Sequence, residues 1–434
     1  MPLKALAFLT FQVSFAFLTV PAEGGLISDA PFQRTWERRF VFDNELDLPS
    51  DAFVPAARYS ADAVASGAEM RFVSGGRIVA AFQAPEGCQP PFRMHLVVTG
   101  VHRPCVYVST NGTTSLAYVG DWPEGFDPRR KENLTRVKFS VSDSMRKPRV
   151  SLSAGVGQAD TRFVSRGVCN EPYVEDGRLY FTFSARSFGS YLGVMSFDPS
   201  ARDFRLEGVI LFDYGDGLLR NDLAADLFWD ESSGSWRAYV SNFSTADSCG
   251  GTSKSLSGRA PGGINVAWTE KCPLHGLSVM RARNLGLDGM NEDPDGVRNP
   301  KTGKWLLLVS RFTPRGIRAA LLESDRWDGP FSPTGGPVSE DSTGTTLVFS
   351  EDGLYALSGS SEREFFVYEC PRLKRMGRMN VLNPPWDGQV NARVWPAYAR
   401  LPSGRELLLT FDRENFPGMP TPNWTYGKLL LYER

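Results

Sequence analysis

Histidine is scarce in this chain of 434 residues, which contains only His95, His102 and His275. Three scattered histidines give little material for a histidine-based nucleophile relay or for a metal site with several histidine ligands. The phosphate-binding P-loop motif is missing as well. Because 48 basic residues face 49 acidic ones, the net charge of −1 gives no reason to expect a nucleic-acid partner or an anionic membrane surface.

Long apolar runs are absent after the first residues of the chain. Lys4 precedes an almost uninterrupted apolar run from Ala5 to Val20, and small residues stand at Val20 and Ala22. This arrangement predicts a signal peptide over residues 1–22 and a secreted or periplasmic protein without membrane contact after cleavage. A single membrane anchor is the alternative, although the run is slightly short for one.

The cysteines lack the CxxC spacing of metal and redox sites. There are six of them, and in an oxidising compartment they are candidates for disulfides. Proximity in the sequence favours pairing Cys88 with Cys105 and Cys249 with Cys272, which leaves Cys169 with Cys370. Six buried free thiols are the alternative.

One pattern returns five times from Cys169 onward. It consists of an Asn or acidic cluster, a short strand, a turn at glycine and an aromatic–aliphatic strand, and its openings are at Asn170, Asp222, Asn291, Asp341 and Asn391. A period of about 50 residues with about four strands per unit is typical of propeller blades. We therefore predict a five-bladed β-propeller over residues 165–434, with a six-bladed ring that borrows N-terminal strands as the competing interpretation.

The N-terminal part of the chain has a different pattern. Between residues 32 and 152, six segments alternate polar and apolar residues and are separated by turns. This pattern is typical of an antiparallel sandwich. The predicted fold class is all-β, with a β-sandwich-like accessory domain over residues 32–152 before the propeller.

The openings of the five units are unusually acidic. Since the innermost strand of each blade starts near the central channel, we expect these openings to converge, and they contain Glu171, Asp222, Asp226, Glu292, Asp293, Asp295 and Asp341 together with Arg393 and Trp395. Paired carboxyl groups are what glycosidases use as acid and base. Trp395 or Tyr173 could stack on the apolar face of a sugar ring. The alternative is that these acids cap turns.

Three motifs in residues 165–434 resemble those of the five-bladed arabinanase and β-xylosidase glycosidases. Asn170-Glu171-Pro172-Tyr173-Val174-Glu175-Asp176-Gly177 resembles the opening of their first blade. Glu292-Asp293-Pro294 is similar to a later Asp-Pro opening, and Ser324-Asp325 followed by Gly329-Pro330-Phe331 is similar to their segment between blades.

The resemblance implies that Glu171 is the general base and that Asp293 orients or tunes it. The family places a general-acid glutamate in another blade, whereas the fourth unit here opens with Asp341-Ser342-Thr343-Gly344. Glu292, Asp222 and Asp226 are the candidates for that role. The predicted catalytic residues are thus Glu171, Asp293, Glu292 and Asp222, and the predicted substrate-binding residues are Asp226, Tyr173, Asp341, Arg393 and Trp395.

Two functions from different classes remain open at this point. The first is a secreted glycoside hydrolase that acts on a polysaccharide or oligosaccharide through paired carboxylates in the propeller centre. The second is a non-catalytic propeller that binds carbohydrate or protein. Neither function needs a cofactor, although the acidic channel leaves room for a structural Ca²⁺.

Overall fold

A computed structural model describes residues 26–100, 102–243, 263–350, 353–384, 394–419 and 425–434. The predicted signal peptide, Cys249 and Arg393 lie outside the described residues. Within them, no helix combines the length and the apolar character needed to cross a bilayer.

The N-terminal part folds as a β-sandwich. One sheet has the strand order β2-β10-β3-β6-β7-β8, and a three-stranded sheet with the order β5-β4-β9 packs on it. In chain order, the elements up to residue 152 are β1 Gln33–Arg38, which pairs with the last strand of the chain, and then β2 Leu46–Leu48, β3 Ala56–Ala63, β4 Glu69–Ser74, β5 Arg77–Gln83, β6 Phe92–Thr99, β7 Cys105–Thr110, β8 Thr113–Val119, α1 Asn133–Arg136, β9 Val137–Val141 and β10 Met145–Leu152.

Aromatic side chains fill the space between the two sheets. The Phe72 ring lies edge-on to Phe53 and to Tyr59, with ring centroids 4.9 Å apart in each pair. The Tyr59 hydroxyl donates a hydrogen bond to the Val54 carbonyl at 2.7 Å, so its polar end has a partner inside the core. Burial alternates along β4 and β5, as predicted from the sequence, whereas the central strands β3 and β6 of the larger sheet are buried on both faces.

The rest of the chain forms a five-bladed β-propeller. Its strands are β11 Gly157–Phe163, β12 Val174–Glu175, β13 Arg178–Ser187, β14 Gly189–Asp198, β15 Asp203–Asp213, β16 Leu219–Arg220, β17 Leu223–Asp230, β18 Ser235–Ser241, β19 Ile264–Thr269, β20 Gly276–Asn284, β21 Asn291–Arg298, β22 Trp305–Thr313, β23 Gly316–Ser324, β24 Ser332–Gly335, β25 Thr343–Ser350, β26 Gly353–Gly359, β27 Phe365–Glu369, β28 Lys374–Arg378, β29 Ala397–Arg400, β30 Glu406–Phe411 and β31 Leu429–Glu433.

Five inner strands surround the propeller axis. They are β11, β17, β21, β25 and β29; each contacts the next, and β29 contacts β11, so the ring is closed. The apolar strands that follow them are buried on both faces. In β22, Leu306 and Leu308 pack against blade 4, whereas Leu307 and Val309 pack against blade 2. Radial packing of this kind covers both faces of a blade that could not cover them alone.

Two boundaries differ from those predicted. The outermost strand of blade 5 is β1, which pairs with β31, so residues 33–38 belong to the propeller and not to the sandwich. The inner strand of blade 1 is β11, which precedes the predicted start at residue 165. Six of its seven residues are buried, and a strand buried on both faces shows no polar–apolar alternation.

The inner strands share a bulge near their beginnings. The register of β11, β17, β21 and β25 shifts at the same place in each, and the second bulge residue has a positive φ in all four strands. These second residues are Asp160 (φ 52°), Ala224 (φ 51°), Asp293 (φ 54°) and Gly344 (φ 61°). A bulge changes the direction in which side chains point. In each of these inner strands, the residues at the start of the bulge therefore lie toward one end of the channel, and the residue at its end lies toward the other.

The disulfides expected from the sequence are not formed. Cys88, Cys105, Cys169, Cys272 and Cys370 are free thiols. Cys105 is buried, and its thiol interacts with Tyr107 of its own strand and, across the domain interface, with Ser187 and the Phe188 backbone. The pairs Cys88–Cys105 and Cys169–Cys370 are therefore corrected to free cysteines.

Candidate functional site

A cavity of about 210 Å³ lies at the end of the channel where the inner strands begin, and we call it the upper cavity. Its wall contains charged, aromatic and apolar side chains from all five blades, together with one residue of the sandwich: His102, Asp160, Arg186, Ser190, Leu223, Phe243, Glu292, Asp293, Ile317, Thr343, Trp395, Phe411, Arg413 and Tyr426. The first two bulge positions supply Asp160, Leu223, Glu292, Asp293 and Thr343.

Asp160 enters the upper cavity from blade 1. Its carboxylate forms an ion pair and hydrogen bond with the Arg186 guanidinium, whose side chain is 2% exposed. The Arg186 guanidinium holds the Asp160 carboxyl group in place, and the remaining acceptor positions of Asp160 can serve as a base or a nucleophile.

Asp293 enters the same cavity from blade 3. One of its carboxyl oxygens accepts hydrogen bonds from the Thr343 hydroxyl (2.9 Å), the Gly344 N–H (3.2 Å) and the Ser310 hydroxyl (3.3 Å). Burial, followed by repulsion from Asp160, raises the pKa of Asp293 to about 6. Two carboxyl groups from different blades therefore interact electrostatically inside one cavity, and Asp293 keeps its proton to a higher pH than an ordinary aspartate does.

Aromatic rings line the side of the upper cavity that blade 5 forms. The Tyr426 ring lies between two guanidinium groups, with Arg186 at 4.2 Å and Arg413 at 4.3 Å from the ring centroid. Trp395 is buried, and its indole N–H donates to the Thr161 carbonyl. Cation–π contacts of this kind fix the orientation of both arginines and of the ring.

A second cavity of about 130 Å³, the lower cavity, lies toward the other end of the inner strands. The fourth bulge position of each of the first four blades lines it, namely Arg162, Asp226, Asp295 and Thr346. Glu171, Asn170 and Cys169 also lie on its wall.

Buried charge in the lower cavity is balanced within the protein. Arg162 forms an ion pair with Asp295 at 3.0 Å and donates to the Asp293 carbonyl at 3.1 Å. Burial and the neighbouring Asp295 raise the pKa of Asp226 well above its usual range, while the Gly296 N–H donates to it at 2.7 Å. The Arg162–Asp295 pair thus neutralises two of the buried charges, and the raised pKa of Asp226 favours the neutral form of that acid.

The lower cavity does not fit the structural Ca²⁺ for which the sequence left room. The Arg162 guanidinium already forms an ion pair with Asp295, so a divalent cation at this carboxylate would be repelled by a fixed positive charge. In the described part of the chain, no group of three or more His, Cys, Asp or Glu side chains is arranged to hold a metal ion.

Comparison with solved structures finds glycoside hydrolases of low identity. A family 117 glycoside hydrolase from the marine bacterium Zobellia galactanivorans is 13% identical, with 64% of this chain and 84% of that chain covered and a TM-score of 0.40. The α-L-arabinofuranosidase of Podospora anserina, in complex with cellotriose, is 11% identical over 64% and 91% of the two chains, with a TM-score of 0.41.

The exo-β-1,3-galactanase of Phanerochaete chrysosporium, with β-1,3-galactotriose, is 8% identical over 62% and 60% of the chains, with a TM-score of 0.44. No family model and no curated protein matches the sequence. Identities and TM-scores of this size say nothing about which sugar or reaction this chain would favour.

The structure separates the two acids that the sequence placed together. Asp293, Glu292 and Trp395 line the upper cavity, whereas Glu171 and Asp226 line the lower one. Glu171 does not begin an inner strand, because it follows β11 in the loop before β13. The pairing of Glu171 with Asp293 is therefore corrected to a pairing of Asp160 with Asp293.

Three other predicted site residues lie outside both cavities. Asp222 is buried and accepts hydrogen bonds from the Tyr214 hydroxyl and, at 3.1 Å, from the Asn265 amide. Tyr173 packs edge-on against Trp236, with ring centroids 5.0 Å apart. Asp341 lies 3.6 Å from the Arg318 guanidinium and accepts from the Ser361 N–H at 3.0 Å.

Sequence reasoning missed Asp160, Arg186, His102, Arg413 and Tyr426. A signal for the first of them existed, since Ala159-Asp160-Thr161-Arg162 and Glu292-Asp293-Pro294-Asp295 both place an acid at the second position and a charged residue at the fourth. The other four lie at strand ends and in loops outside the repeated openings, and only the folded ring brings them to the cavity.

Proposed function

We propose that this protein is a secreted glycoside hydrolase that binds a sugar in the upper cavity and cleaves a glycosidic bond with carboxyl groups from two blades. The observation that carries the proposal is the interaction of Asp160 with Asp293, two acids from different blades that share a cavity with Tyr426 and Trp395. Glycoside hydrolysis needs one carboxyl group as acid and another as base or nucleophile.

The different environments of the acids favour different roles. Asp160 is held by Arg186 and supplies the base or nucleophile. One carboxyl oxygen of Asp293 accepts hydrogen bonds from Thr343, Gly344 and Ser310. Asp293 therefore has the role of orienting the residues around the cavity and of adjusting the charge inside it. Glu292, at the first bulge position beside it and only partly buried, is the proton donor in this scheme.

A second function has one specific observation in its favour. Blade 4 places Thr343 at the bulge position that Glu292 occupies in blade 3, so a hydroxyl lies where the related glycosidases would be expected to carry an acid. A propeller that binds carbohydrate without cleaving it would keep the cavity and need no such acid.

Activity measurements on three variants would decide between these functions. Wild type, Asp160→Asn and Glu292→Gln are screened with aryl glycosides and with polysaccharides, and Glu171→Gln serves as the matched control from the lower cavity. We expect losses of about a hundredfold or more for the two upper-cavity variants and little change for the control. Activity that is lost in Glu171→Gln but kept in Asp160→Asn would contradict the proposal, and uniform inactivity with measurable glycan binding would favour the second function.

A further inference from the structure

A groove of about 180 Å³ lies on the surface between blades 2 and 3, and we call it the tryptophan groove. Its wall consists of aromatic and charged side chains with one serine, namely Ser235, Arg237, Trp268, Arg283, Trp327 and Asp328. In the hairpin of β17 and β18, Leu223 of the upper cavity pairs with Ser241, whereas Ser235 of the groove pairs with Asp230 at the opposite end. The groove is therefore separate from the upper cavity.

The two tryptophans of the groove differ in how they are packed. Trp327 packs against the core between blades 2 and 3, and its carbonyl accepts a hydrogen bond from the buried Tyr239 hydroxyl. Trp268 lies near the end of β19, on the face that carries Ile264 and Val266. Among the described residues it is no part of that core, and it stays partly exposed. The core therefore accounts for Trp327 but not for Trp268.

The two indole rings are held at a steep angle to each other. Their centroids lie 6.4 Å apart, and their planes are inclined by 72°. The Arg237 guanidinium lies 4.4 Å from the centroid of the Trp327 ring, a cation–π contact that fixes this ring in place. A flat ligand ring can therefore pack on Trp268 with Trp327 beside it, and neither wall has to move.

The charged groups of the groove favour an uncharged ligand. Arg237 forms an ion pair with Asp230 at 2.7 Å, and Arg283 forms one with Asp328 at 2.6 Å. An ionic ligand would have to compete with these pairs, whereas hydroxyl groups can use the remaining N–H donors and carboxylate lone pairs without breaking them. The six lining residues are also far fewer than the about 20–30 residues that each partner contributes to a stable protein interface. A neutral, hydroxyl-rich ligand therefore fits the groove better than a protein does.

We propose that the tryptophan groove is a second carbohydrate-binding site, which holds a chain of a neutral polysaccharide outside the upper cavity. A sugar ring packs its apolar face on Trp268, while its hydroxyl groups accept from Arg283 and donate to Asp328. Aromatic walls with a few polar groups that point inward are typical of ligand sites. A polymer held here keeps its other segments close to the upper cavity and raises their effective concentration there. Only this last consequence rests on the proposed function, whereas sugar binding in the groove does not.

Affinity electrophoresis in native gels that contain arabinoxylan, β-1,3-glucan or β-1,4-mannan tests the proposal. Wild type, Trp268→Ala and Trp268→Phe are compared with Trp229→Ala, the matched control. Trp229 is a partly buried tryptophan of the same blade, but it packs on the core between blades 1 and 2. We expect at least one polymer to retard wild type and Trp229→Ala equally, and Trp268→Ala to bind that polymer about tenfold more weakly, as the loss of about 1.4 kcal/mol of contact implies. Trp268→Phe keeps an aromatic face and should lose less.

Thermal unfolding of each variant shows whether a loss of binding reflects a loss of structure. Because Trp268 is outside the core, Trp268→Ala should lower Tm less than Trp229→Ala does. The inference is overturned if none of the three polymers retards wild type, if Trp268→Ala is retarded as strongly as wild type, or if Trp229→Ala weakens retardation as much as Trp268→Ala. If a polymer retards wild type through Trp268 but no glycoside is cleaved, the proposed function fails while this inference stands. Cleavage of glycosides without any retardation overturns only this inference.

Discussion

Replacing Asp293 by asparagine should make the protein more stable at neutral pH and less able to act on a sugar. Asp293 is 5% exposed, and its pKa rises from 3.8 to about 6 on folding. Because the native state holds this proton more tightly than the unfolded state, the free energy of unfolding falls as the pH rises from about 3.8 to about 6 and stays low above that range.

The structure sets the size of the effect. A pKa difference between 3.8 and about 6 corresponds to about 3 kcal/mol. Asparagine keeps an oxygen that can accept from Thr343 and Gly344 and carries no charge, so most of that penalty should disappear. We expect Asp293→Asn to raise the free energy of unfolding by about 1–3 kcal/mol at about pH 8 and by about a third as much at about pH 4.5.

Urea-induced unfolding, followed by the fluorescence of the 10 tryptophans, measures this difference at both pH values. Asp160→Asn is the control of opposite sign. It removes one partner of the buried pair with Arg186 and should cost about 3 kcal/mol at neutral pH. The reasoning fails if Asp293→Asn is less stable than wild type at about pH 8, or if its advantage is the same at both pH values.

Three further predictions concern the channel, the blade packing and the thiols. Arg162→Met leaves the acids of the lower cavity without their cation, so it should lower the free energy of unfolding by about 3–5 kcal/mol at neutral pH. The loss should be smaller at acid pH, because those carboxyl groups take up protons there. Urea-induced unfolding at both pH values tests this prediction. Gly296→Ala puts a Cβ atom 2.1 Å from the Tyr239 ring between blades 2 and 3 and should cost about 1–3 kcal/mol, against little change for Gly353→Ala, where the nearest atom lies at 3.8 Å; thermal unfolding of both variants tests this. A reducing agent should leave Tm unchanged, and native Cys105, whose pKa burial raises to about 11, should resist a thiol reagent that labels exposed Cys272, as mass spectrometry would show.

Much of the architecture could be predicted because the signal is local. All six N-terminal segments with polar–apolar alternation are strands, β4 to β9, and the alternation is clearest where one face is solvated, as in β5. The number of blades followed from the spacing of the acidic openings and the glycine turns, and the closed ring of five inner strands confirms it. Local alternation and turn chemistry are properties of short segments, so they can be read without knowing the tertiary structure.

The candidate site was harder to predict because it depends on register. Strand β11 carries Asp160, but its burial on both faces removes the alternation that would reveal a strand, and the motif around Glu171 was taken for the opening of blade 1. Because Glu171 was taken for the acid of blade 1 in place of Asp160, that acid was assigned to the lower cavity and not to the upper one. His102 could not be placed from sequence at all, since only the packing of two domains brings it to the cavity.

The pairing of β1 with β31 has a consequence for biosynthesis. The two strands are separated by about 400 residues, so at about 5–20 residues per second the ribosome needs roughly 20–80 s between them. During that time an early strand with Trp36 has no neighbour for its backbone groups and is a template for pairing with other chains. Assembly of the last blade is thus limited by translation, and the nascent protein depends on its early domain, or on a chaperone, to shield that strand until the final one emerges.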